Sequence, residues 1–464
     1  MRHDLQAQLV KRVLAHLDAK STDANPTAST VPIEAYADAA RIDRERAHLF
    51  RDLPLVVGHV SQIPDAGDFF THDASGVPLL IVRDDAGEVR AMLNVCRHRG
   101  TRLEGRACGT AKAFVCPYHA WSYGRDGELI GVPHERAFIG TGAQSGTGGL
   151  VQIRREAELR GAALEREAWH AANGVSEAAE AARAQLRADR SLVEVPVGIV
   201  AGLIMVRPTP VKPGEPRALD AAAWLGPLAA ELESFGLGTS HAYGAFETDR
   251  ALSWKLSIDV FLETYHLRTA HKDSIYPLFF ANVGLVDPHG PHLRNIFPKR
   301  SIRALVGAPE ETWSLRHHAN VLYHLFPNTL VLVEPDHVAV LHLWPIDATR
   351  THLQAYMLVP EPPVTEKAQR YWDANNAILH GATAEDFALG ESIQRGLASG
   401  ANSEVAFGAF EHALAHFHEQ IDRYSGIDAR DSLATGVSVS MLSSADENTR
   451  VTAPLLISKR NRAT

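Results

Sequence analysis

The sequence predicts an α+β fold, in which a small, mostly β domain precedes a larger domain with an antiparallel sheet and long helices. Three observations lead to this prediction. Short strand-like runs, separated by turns that contain Gly and Asp, fill residues 41–137. From about residue 192 strand-like runs return and mix with helical ones. Apolar residues at helical spacing then predict one amphipathic helix over residues 404–424.

Composition places the chain among ordinary globular proteins and suggests two or three domains over its 464 residues. The 46 basic and 55 acidic residues give a net charge of −9, which argues against a nucleic-acid partner because such a partner requires a clustered basic face. The most apolar run, 195–206, is shorter than the ~20 residues that a membrane span requires. The N-terminus lacks the continuous apolar core of a signal peptide. We therefore expect a cytoplasmic protein that binds neither nucleic acid nor membrane.

The chain divides into four predicted segments. Residues 1–40 predict an N-terminal helix followed by a linker, and 41–137 the small β domain. Residues 138–190 begin with a Gly-rich linker and continue as a helical insertion rich in Ala, Glu and Arg, in two pieces divided at Asn173–Gly174. The Gly-rich run has no strand–helix context and is no dinucleotide fingerprint. Residues 191–464 form the larger domain.

Two short loops each offer one thiolate and one imidazole, as Cys96-x-His98 and, after seventeen intervening residues, Cys116-x-x-His119. A Rieske [2Fe–2S] cluster requires this set, with two Cys on one iron and two His on the other. A zinc finger would instead pair Cys with Cys and His with His. The remaining cysteine, Cys108, makes the count odd, so no disulfide framework is expected and this residue is a structural or free thiol. The pattern therefore predicts a cluster held by the two loops.

A second group of metal-binding residue types follows in the larger domain. Asp259, Glu263 and His266 are spaced so that a helix would place them on one face, and His271 implies a break after them. Two histidines and one carboxylate form the facial triad of non-haem Fe(II) oxygenases. Asp386 is the candidate carboxylate, because it shares a predicted apolar stripe and therefore needs a partner. If a helix begins three residues earlier, Asp386 could instead complete a capping box; spacing leaves both interpretations open.

Both groups resemble the motifs of Rieske non-haem iron oxygenases, in particular the alpha (oxygenase) subunits of the aromatic ring-hydroxylating dioxygenase family. The two Cys–His loops resemble its Rieske domain, 259–271 resembles its D/N-x₃-D/E-x₂-H-x₄-H pattern, and 385–394 resembles its later acidic motif. The resemblance covers most of 41–137 and 192–424, whereas 138–190 departs from it. It implies that His266, His271 and Asp386 bind iron. It also implies that Glu263, where many relatives have Asp, links this iron to the Rieske centre of a neighbouring subunit.

The family resemblance also implies an architecture and an activity. Residues 191–464 would form a helix-grip (START-like) catalytic domain, and each chain would carry one [2Fe–2S] cluster and one Fe²⁺, in a homotrimer or an α₃β₃ assembly. The sequence has no flavin or nicotinamide fingerprint, so electrons are expected from a separate reductase, directly or through a ferredoxin. With O₂ they would hydroxylate, or oxidatively demethylate, a small organic substrate, most simply an aromatic one. Asp259 is expected to orient the ligating histidines.

Two other classes of protein make different predictions for the same residues. An electron carrier whose second domain only binds partners would leave the site of His266 and His271 empty after iron loading. A metal-dependent hydrolase would use these histidines without O₂ or reductant. The sequence does not distinguish aromatic acids, polycyclic rings and quaternary amines as substrates.

Further residues near these motifs carry weaker expectations. His412 and His416 lie four residues apart, and we expect them on a solvated helix face rather than at a metal. Arg97 and Arg99 flank the first loop and could dock a redox partner or simply be solvated. Trp121 is expected to pack over the cluster.

Overall fold

The computed structural model describes residues 1–139, 177–212 and 214–427. The Gly-rich run at 140–149 and the predicted break at Asn173–Gly174 lie outside the described residues. Within the described ranges, no helix combines the length and the apolar character that a membrane crossing requires. The predicted α+β class is confirmed, because two β-rich units are followed and covered by helices.

The helices and strands are numbered here in chain order. The α-helices are α1 (His3–Ala19), α2 (Glu34–Ala37), α3 (Ala39–Asp52), α4 (Glu177–Arg190), α5 (Ala221–Leu225), α6 (Pro227–Glu233), α7 (Trp254–Asp259), α8 (Leu267–Ala270), α9 (Leu315–His318), α10 (Glu366–Leu397) and α11 (His412–Tyr424). The strands of the first unit are β2 (Leu55–His59), β3 (Asp68–His72), β4 (Leu79–Arg83), β5 (Val89–Leu93), β6 (Cys108–Thr110), β7 (Phe114–Val115), β8 (Ser122–Tyr123), β9 (Leu129–Gly131), β10 (Val197–Val200) and β11 (Leu203–Val206). The other strands are β1 (Ser29–Pro32), β12 (His241–Arg250), β13 (Leu285–His289), β14 (His292–Pro298), β15 (Ala319–Leu325), β16 (Thr329–Val333), β17 (Val338–Pro345), β18 (Thr351–Val359) and β19 (Glu404–Phe407).

The first unit consists of small antiparallel sheets, in the orders β5-β4-β3-β6, β7-β8-β9 and β10-β11-β2. Strand β4 is buried on both faces, which explains its continuous apolar sequence Leu-Leu-Ile-Val. One face packs on Phe69, Phe114 and Trp121 beneath the two Cys–His loops. The other face packs on Ile204 and Val206 of β11. The cluster loops therefore project from a rigid β scaffold.

Strand pairing differs from the domain boundaries expected from the sequence. Strand β11 pairs with β2, which lies in the range 41–137, and Leu93 N–H donates to Val193 O. Residues 192–206 therefore complete the first unit, whereas the sequence analysis began the catalytic domain at residue 191. The pairing is long-range, and local strand propensity does not reveal which sheet a strand joins.

The second unit is built on a seven-stranded antiparallel sheet in the order β12-β18-β17-β16-β15-β14-β13. Every residue of the interior strand β17 is buried, whereas the edge strand β12 has only half-buried and exposed residues. Helices α1, α5 and α6 cover one face of the sheet. Helices α7, α10 and α11 cover the other face. This second face, between the sheet and α10, holds His266, His271 and Asp386.

The helix predicted over residues 404–424 is wrong for its first part. Residues Glu404–Phe407 form β19, which pairs with β1 of the N-terminal segment, and α11 begins only at His412. The pairing partner lies more than 370 residues away (Thr30 pairs with Ala406), so periodicity within 404–424 does not reveal it. Tertiary pairing here overrides the local helical pattern.

Candidate functional site

The two Cys–His loops are tight turns, each closed by its own backbone. Cys96 N–H donates to Thr101 O and Cys116 N–H donates to Trp121 O, each at 2.8 Å. Both cysteines are buried, at 2% and 3% exposure. Trp121 stacks on His98 with ring centroids 4.7 Å apart and an interplanar angle of 5°, in the position expected from the sequence. The loops therefore present their side chains toward one point on a buried base.

The donor set at this point fits a [2Fe–2S] cluster. The imidazole rings of His98 and His119 have centroids 4.8 Å apart. The Nδ1 atom of each ring is buried, and neither atom has a hydrogen-bond partner among the described residues. Buried polar nitrogens without partners are rare in native structures, and ligation would satisfy both. Two buried thiols and two unpaired imidazole nitrogens are the ligands that a Rieske centre uses.

The arginines beside the first loop differ in their surroundings. The guanidinium of Arg97 donates to Asp189 O of α4 at 3.0 Å, so this side chain is tied to the fold. Arg99 lies over the exposed ring of Tyr118, with the guanidinium carbon 5.6 Å from the ring centroid. Arg99 is thus the arginine of the pair that faces solvent.

Cys108 is an exposed free thiol on β6.

The second group meets at one point beneath α10. One ligand atom from each of His266, His271 and Asp386 lies within 4.8 Å of the other two. His271 Nε2 is 2.7 Å, and His266 Nε2 3.4 Å, from Asp386 Oδ1. His271 and Asp386 are buried, and His266 is partly buried. Two imidazoles and a carboxylate that converge in this way are the donor set of a facial triad, so the residues fit a mononuclear iron.

The two histidines flank a single helical turn. His266 precedes α8 and His271 follows it, so the predicted break between them is present. The prediction that Asp259, Glu263 and His266 share one helical face is wrong. Helix α7 ends at Asp259, and the next backbone N–H groups bond three residues back, from Phe261 to Ile258 O and from Leu262 to Asp259 O. This tighter winding ends the α-helix and turns the chain toward the site.

Asp386 lies deep within the 32-residue helix α10, which begins at Glu366 with Thr365 as its N-cap. The capping-box interpretation is therefore wrong, and Thr383 Oγ1 instead donates to Leu379 O at 2.6 Å. The predicted apolar stripe is also wrong, because Leu389 and Ile393 are 48% and 44% exposed. The stripe was predicted for a helix that begins near residue 383. The helix begins much earlier, and its buried face consists of other residues.

Each histidine has a carboxylate at its second ring nitrogen. Glu263 bonds to Nδ1 of His266, and Glu385 Oε2 lies 2.6 Å from Nδ1 of His271. The Nε2 atoms are thereby directed at Asp386. Burial alone would lower the pKa of His266, but hydrogen bonds to Asp386 and Glu263 raise it to about 10. The sequence analysis did not assign Glu385 a role, although it directly precedes Asp386.

The hydrogen bonds of Asp259 go to side chains other than His266 and His271. Its carboxylate accepts from Tyr36 Oη at 2.6 Å and from His418 Nε2 at 3.1 Å. Among the described residues it has no hydrogen bond to His266 or His271, so the expectation that it orients them is wrong. Its partners come from α2 and α11, which are distant in sequence and could not be inferred from spacing.

The expectation that His412 and His416 lie on a solvated face of α11 is also wrong. His412 and His416 are partly buried, and burial lowers the pKa of both. The groups that could hold a metal in the described ranges do not include them. They pack toward β13, which occupies the side of the helix that an isolated sequence would leave to water.

A small apolar cavity of about 100 Å³ adjoins the histidines and Asp386. Leucines of the sheet form its floor, and residues of α10 and of the loop after α7 form its sides. The remaining lining residues are Val260, Phe261, Glu263, Thr264, Leu267, Ile275, Phe279, Phe297, Asn320, Leu322, Leu330, Leu332, Leu341, Leu379, Ala382 and Thr383. No Lys or Arg is among the described residues that line it.

Comparisons with known proteins agree with this arrangement. Residues 54–150 match the Rieske [2Fe-2S] domain, and residues 237–426 match the catalytic domain of ring hydroxylating alpha subunits. Biphenyl 2,3-dioxygenase subunit alpha of Rhodococcus jostii (strain RHA1) is 44% identical over 106 residues, 23% of each chain. The large oxygenase component of the Pseudomonas aeruginosa naphthalene 1,2-dioxygenase system is 36% identical over 126 residues, 27% of this chain and 28% of the relative. The chain thus aligns with about a quarter of these relatives' length.

Solved structures show the same fold over most of the chain. A quaternary ammonium Rieske monooxygenase in complex with L-carnitine has a TM-score of 0.64 at 20% identity, and the match covers 86% of this chain and 96% of that one. Naphthalene 1,2-dioxygenase from a Rhodococcus species, bound to indole, has a TM-score of 0.63 at 18% identity, over 91% and 98% of the two chains.

The fold and its two sites define a protein with a Rieske domain joined to a ring-hydroxylating catalytic domain. The chain carries the Rieske [2Fe-2S] domain and the catalytic domain of ring hydroxylating alpha subunits, which agrees with the resemblance inferred from the motifs. The expected cofactors, one [2Fe–2S] cluster and one mononuclear iron, are those of these two domains.

Proposed function

We propose that this chain is the oxygenase component of a multicomponent Rieske oxygenase, which uses O₂ and electrons from a reductase to hydroxylate a small apolar aromatic substrate. Cys96, His98, Cys116 and His119 hold the cluster in this proposal. His266, His271 and Asp386 hold the iron. The observation that carries the proposal is the convergence of these three residues on the wall of an apolar cavity.

The chain's own residues would prepare the site for this chemistry. When bound, the cluster supplies electrons and the iron supplies open coordination positions for O₂. Glu263 and Glu385 accept hydrogen bonds from the Nδ1 atoms of the two histidines, which keeps Nε2 free for the metal. The surrounding leucines and phenylalanines exclude water from this point.

The cavity lining favours a neutral, ring-shaped substrate. Its carboxylates are Glu263 and Asp386, and both are engaged with the histidines. No cation among the described lining residues would pair with a carboxylate such as that of an aromatic acid or of carnitine. The cavity of about 100 Å³ is smaller than the engineered apolar cavity of about 150 Å³ that binds benzene, so a polycyclic substrate would require a larger rearrangement of its walls than a single ring. Biphenyl and naphthalene dioxygenases are among the relatives, which supports an aromatic substrate.

Electron supply and assembly belong to the same proposal. A reductase, directly or through a ferredoxin, would reduce the cluster, since the chain has no flavin or nicotinamide fingerprint. A homotrimer or α₃β₃ assembly would bring Glu263 of one subunit near the Rieske domain of the next. Mass measurement of the native assembly tests this part.

Metal content of wild type and His266→Ala tests the proposed sites. We expect about three irons and about two acid-labile sulfides per chain in the wild type, falling to about two irons in the variant. The Rieske EPR signal after dithionite reduction should be the same in both. His317→Ala, which removes an exposed histidine outside the site, should keep the wild-type content.

The two rival classes predict other outcomes. About two irons in both proteins after careful iron loading would leave an electron carrier and make the catalytic proposal wrong. Product formation that does not depend on O₂ and reductant would instead indicate a hydrolase.

A further inference from the structure

Asn320 places an unpaired hydrogen-bond acceptor at the otherwise apolar cavity. This residue of β15 lines the cavity, and its Nδ2 donates to Glu334 Oε1 at 2.7 Å. Lys299 Nζ donates to the other carboxylate oxygen, Glu334 Oε2, at 3.2 Å. Glu334 is the acceptor in both contacts, so the NH₂ group of the amide faces it and Oδ1 is the free atom. Oδ1 is buried and has no partner among the described residues.

A second unpaired amide lies on the adjacent strand. Asn295 of β14 is 0% exposed, and neither its Oδ1 nor its Nδ2 has a hydrogen-bond partner among the described residues. In the register of β14 and β15, Asn295 is opposite Leu322 and Phe297 is opposite Asn320. Leu322 and Phe297 both line the cavity. Because side chains alternate along a strand, all four residues lie on the same face of the sheet.

The unpaired acceptor of Asn320 at the cavity requires an occupant. Native proteins satisfy nearly all buried polar groups, through protein, water or ligand. The other sheet residues of this wall are apolar: Phe297, Leu322, Leu330, Leu332 and Leu341. A polar group on a bound ring would meet Asn320 Oδ1 while the ring itself contacts the leucines. A site built to bond a substrate hydroxyl or amine also discriminates strongly against analogues that lack it.

We propose that the cavity binds a single aromatic ring that carries one neutral hydrogen-bond donor, a hydroxyl or an amino group. Asn320 Oδ1 accepts from this donor, whereas Asn295, on the same face of the sheet, is not among the described residues that line the cavity. The inference rests on the proposed function, because it names the substrate class of the same cavity. An anionic substituent is disfavoured, because Glu334 is bonded to the same amide and no Lys or Arg lines the described wall.

Phenol and toluene are the probes, because they differ mainly by a hydroxyl in place of a methyl group. Calorimetric titration of the metal-loaded protein, without reductant, gives the ratio of their dissociation constants. In Asn320→Leu the ratio should shift toward toluene by about fivefold to tenfold relative to wild type, the effect of one neutral hydrogen bond. Asn320→Ala, which removes the same acceptor, should shift the ratio in the same direction. If Asn320→Leu does not fold, Asn320→Ala carries the test.

Asn328→Leu is the matched control. Asn328 is also fully buried with an unpaired Oδ1, but it does not line the cavity and its Nδ2 donates to Leu343 O at 3.3 Å. The ratio of the phenol and toluene dissociation constants in Asn328→Leu should equal that of the wild type. A shift as large in Asn328→Leu as in Asn320→Leu would overturn the inference, because the effect would then be general to the sheet.

The outcomes separate this inference from the proposed function. An unchanged ratio in Asn320→Leu, or failure of both probes to bind at millimolar concentration, overturns the inference, since water would then satisfy Asn320 Oδ1. The proposed function is judged separately, by iron content and by O₂-dependent product. The binding ratio needs no turnover and therefore reports on Asn320 in either case.

Discussion

Glu385 Oε2 lies 2.6 Å from Nδ1 of His271, so the residue that precedes Asp386 in sequence fixes the imidazole that faces Asp386. Ser274 Oγ donates to the same carboxylate oxygen at 2.6 Å. His266 has the equivalent support from Glu263. Both ligating rings are therefore oriented before any metal binds, and the first two predictions follow from these two carboxylates.

Removal of the Glu385 carboxylate should weaken iron binding. In Glu385→Ala the ring of His271 loses its Nδ1 acceptor, and loss of such a partner typically weakens metal affinity about 10–100-fold. Glu385→Gln retains an accepting oxygen and should retain most of the affinity. Competition with a chelator measures this. Glu366→Gln, an exposed change on the same helix, serves as control, and equal iron retention in Glu385→Ala would contradict the positioning role.

Glu263→Gln should separate metal content from turnover. The glutamine oxygen can still accept from Nδ1 of His266, so iron and sulfide should stay at wild-type levels. The negative charge beside the ring is lost, and we expect turnover to fall about 10–100-fold. Steady-state product formation with reductase and O₂ measures the effect against the same Glu366→Gln control. Undiminished turnover would make the proposed bridging role of Glu263 wrong.

Asp259→Asn should affect stability rather than iron. Burial raises the pKa of Tyr36, so its hydroxyl remains protonated and donates to Asp259. With asparagine, one of the two buried donors, Tyr36 or His418, would face an amide N–H, at a cost of about 1–3 kcal/mol. Urea denaturation with parallel iron analysis measures both quantities. Iron loss at unchanged stability would instead restore the role in orienting the histidines.

Acidification should destabilise the fold through buried neutral histidines such as His72. Burial lowers the pKa of His72 to about 3, and its Nε2 accepts from Ser75 N–H. The unfolded chain therefore binds more protons between pH ~6.5 and ~3, and stability falls as the pH falls through this range by roughly 1 kcal/mol per pH unit. Denaturation of His72→Gln at pH 7 and pH 5 should show a smaller loss than wild type. His317→Gln is the control, and equal losses in all three proteins would contradict the prediction.

The predictions from the sequence were most accurate for features formed by residues that are close together along the chain. The Cys–His loops needed only local spacing, because each loop is closed by its own backbone. The proposed iron ligand Asp386 is 115 residues from His271. The apolar stripe that made it a candidate is wrong, and the family resemblance is what selected it. The prediction that Asp259, Glu263 and His266 share one helical face is wrong because helix α7 ends at Asp259. Asn320 carried a weak signal, a polar residue in the mostly apolar strand β15, that has meaning only once β15 is paired.

Helix α10 carries both the wall of the cavity and the carboxylate of the metal site. Leu379, Ala382 and Thr383 line the cavity from the two turns that precede Asp386. The spacing along an α-helix is fixed by its backbone at 1.5 Å per residue. Side chains on those turns can therefore change in size without displacing the carboxylate. The scaffold thus offers protein engineers, and natural divergence, a way to change which molecule fits without changing how the metal is held.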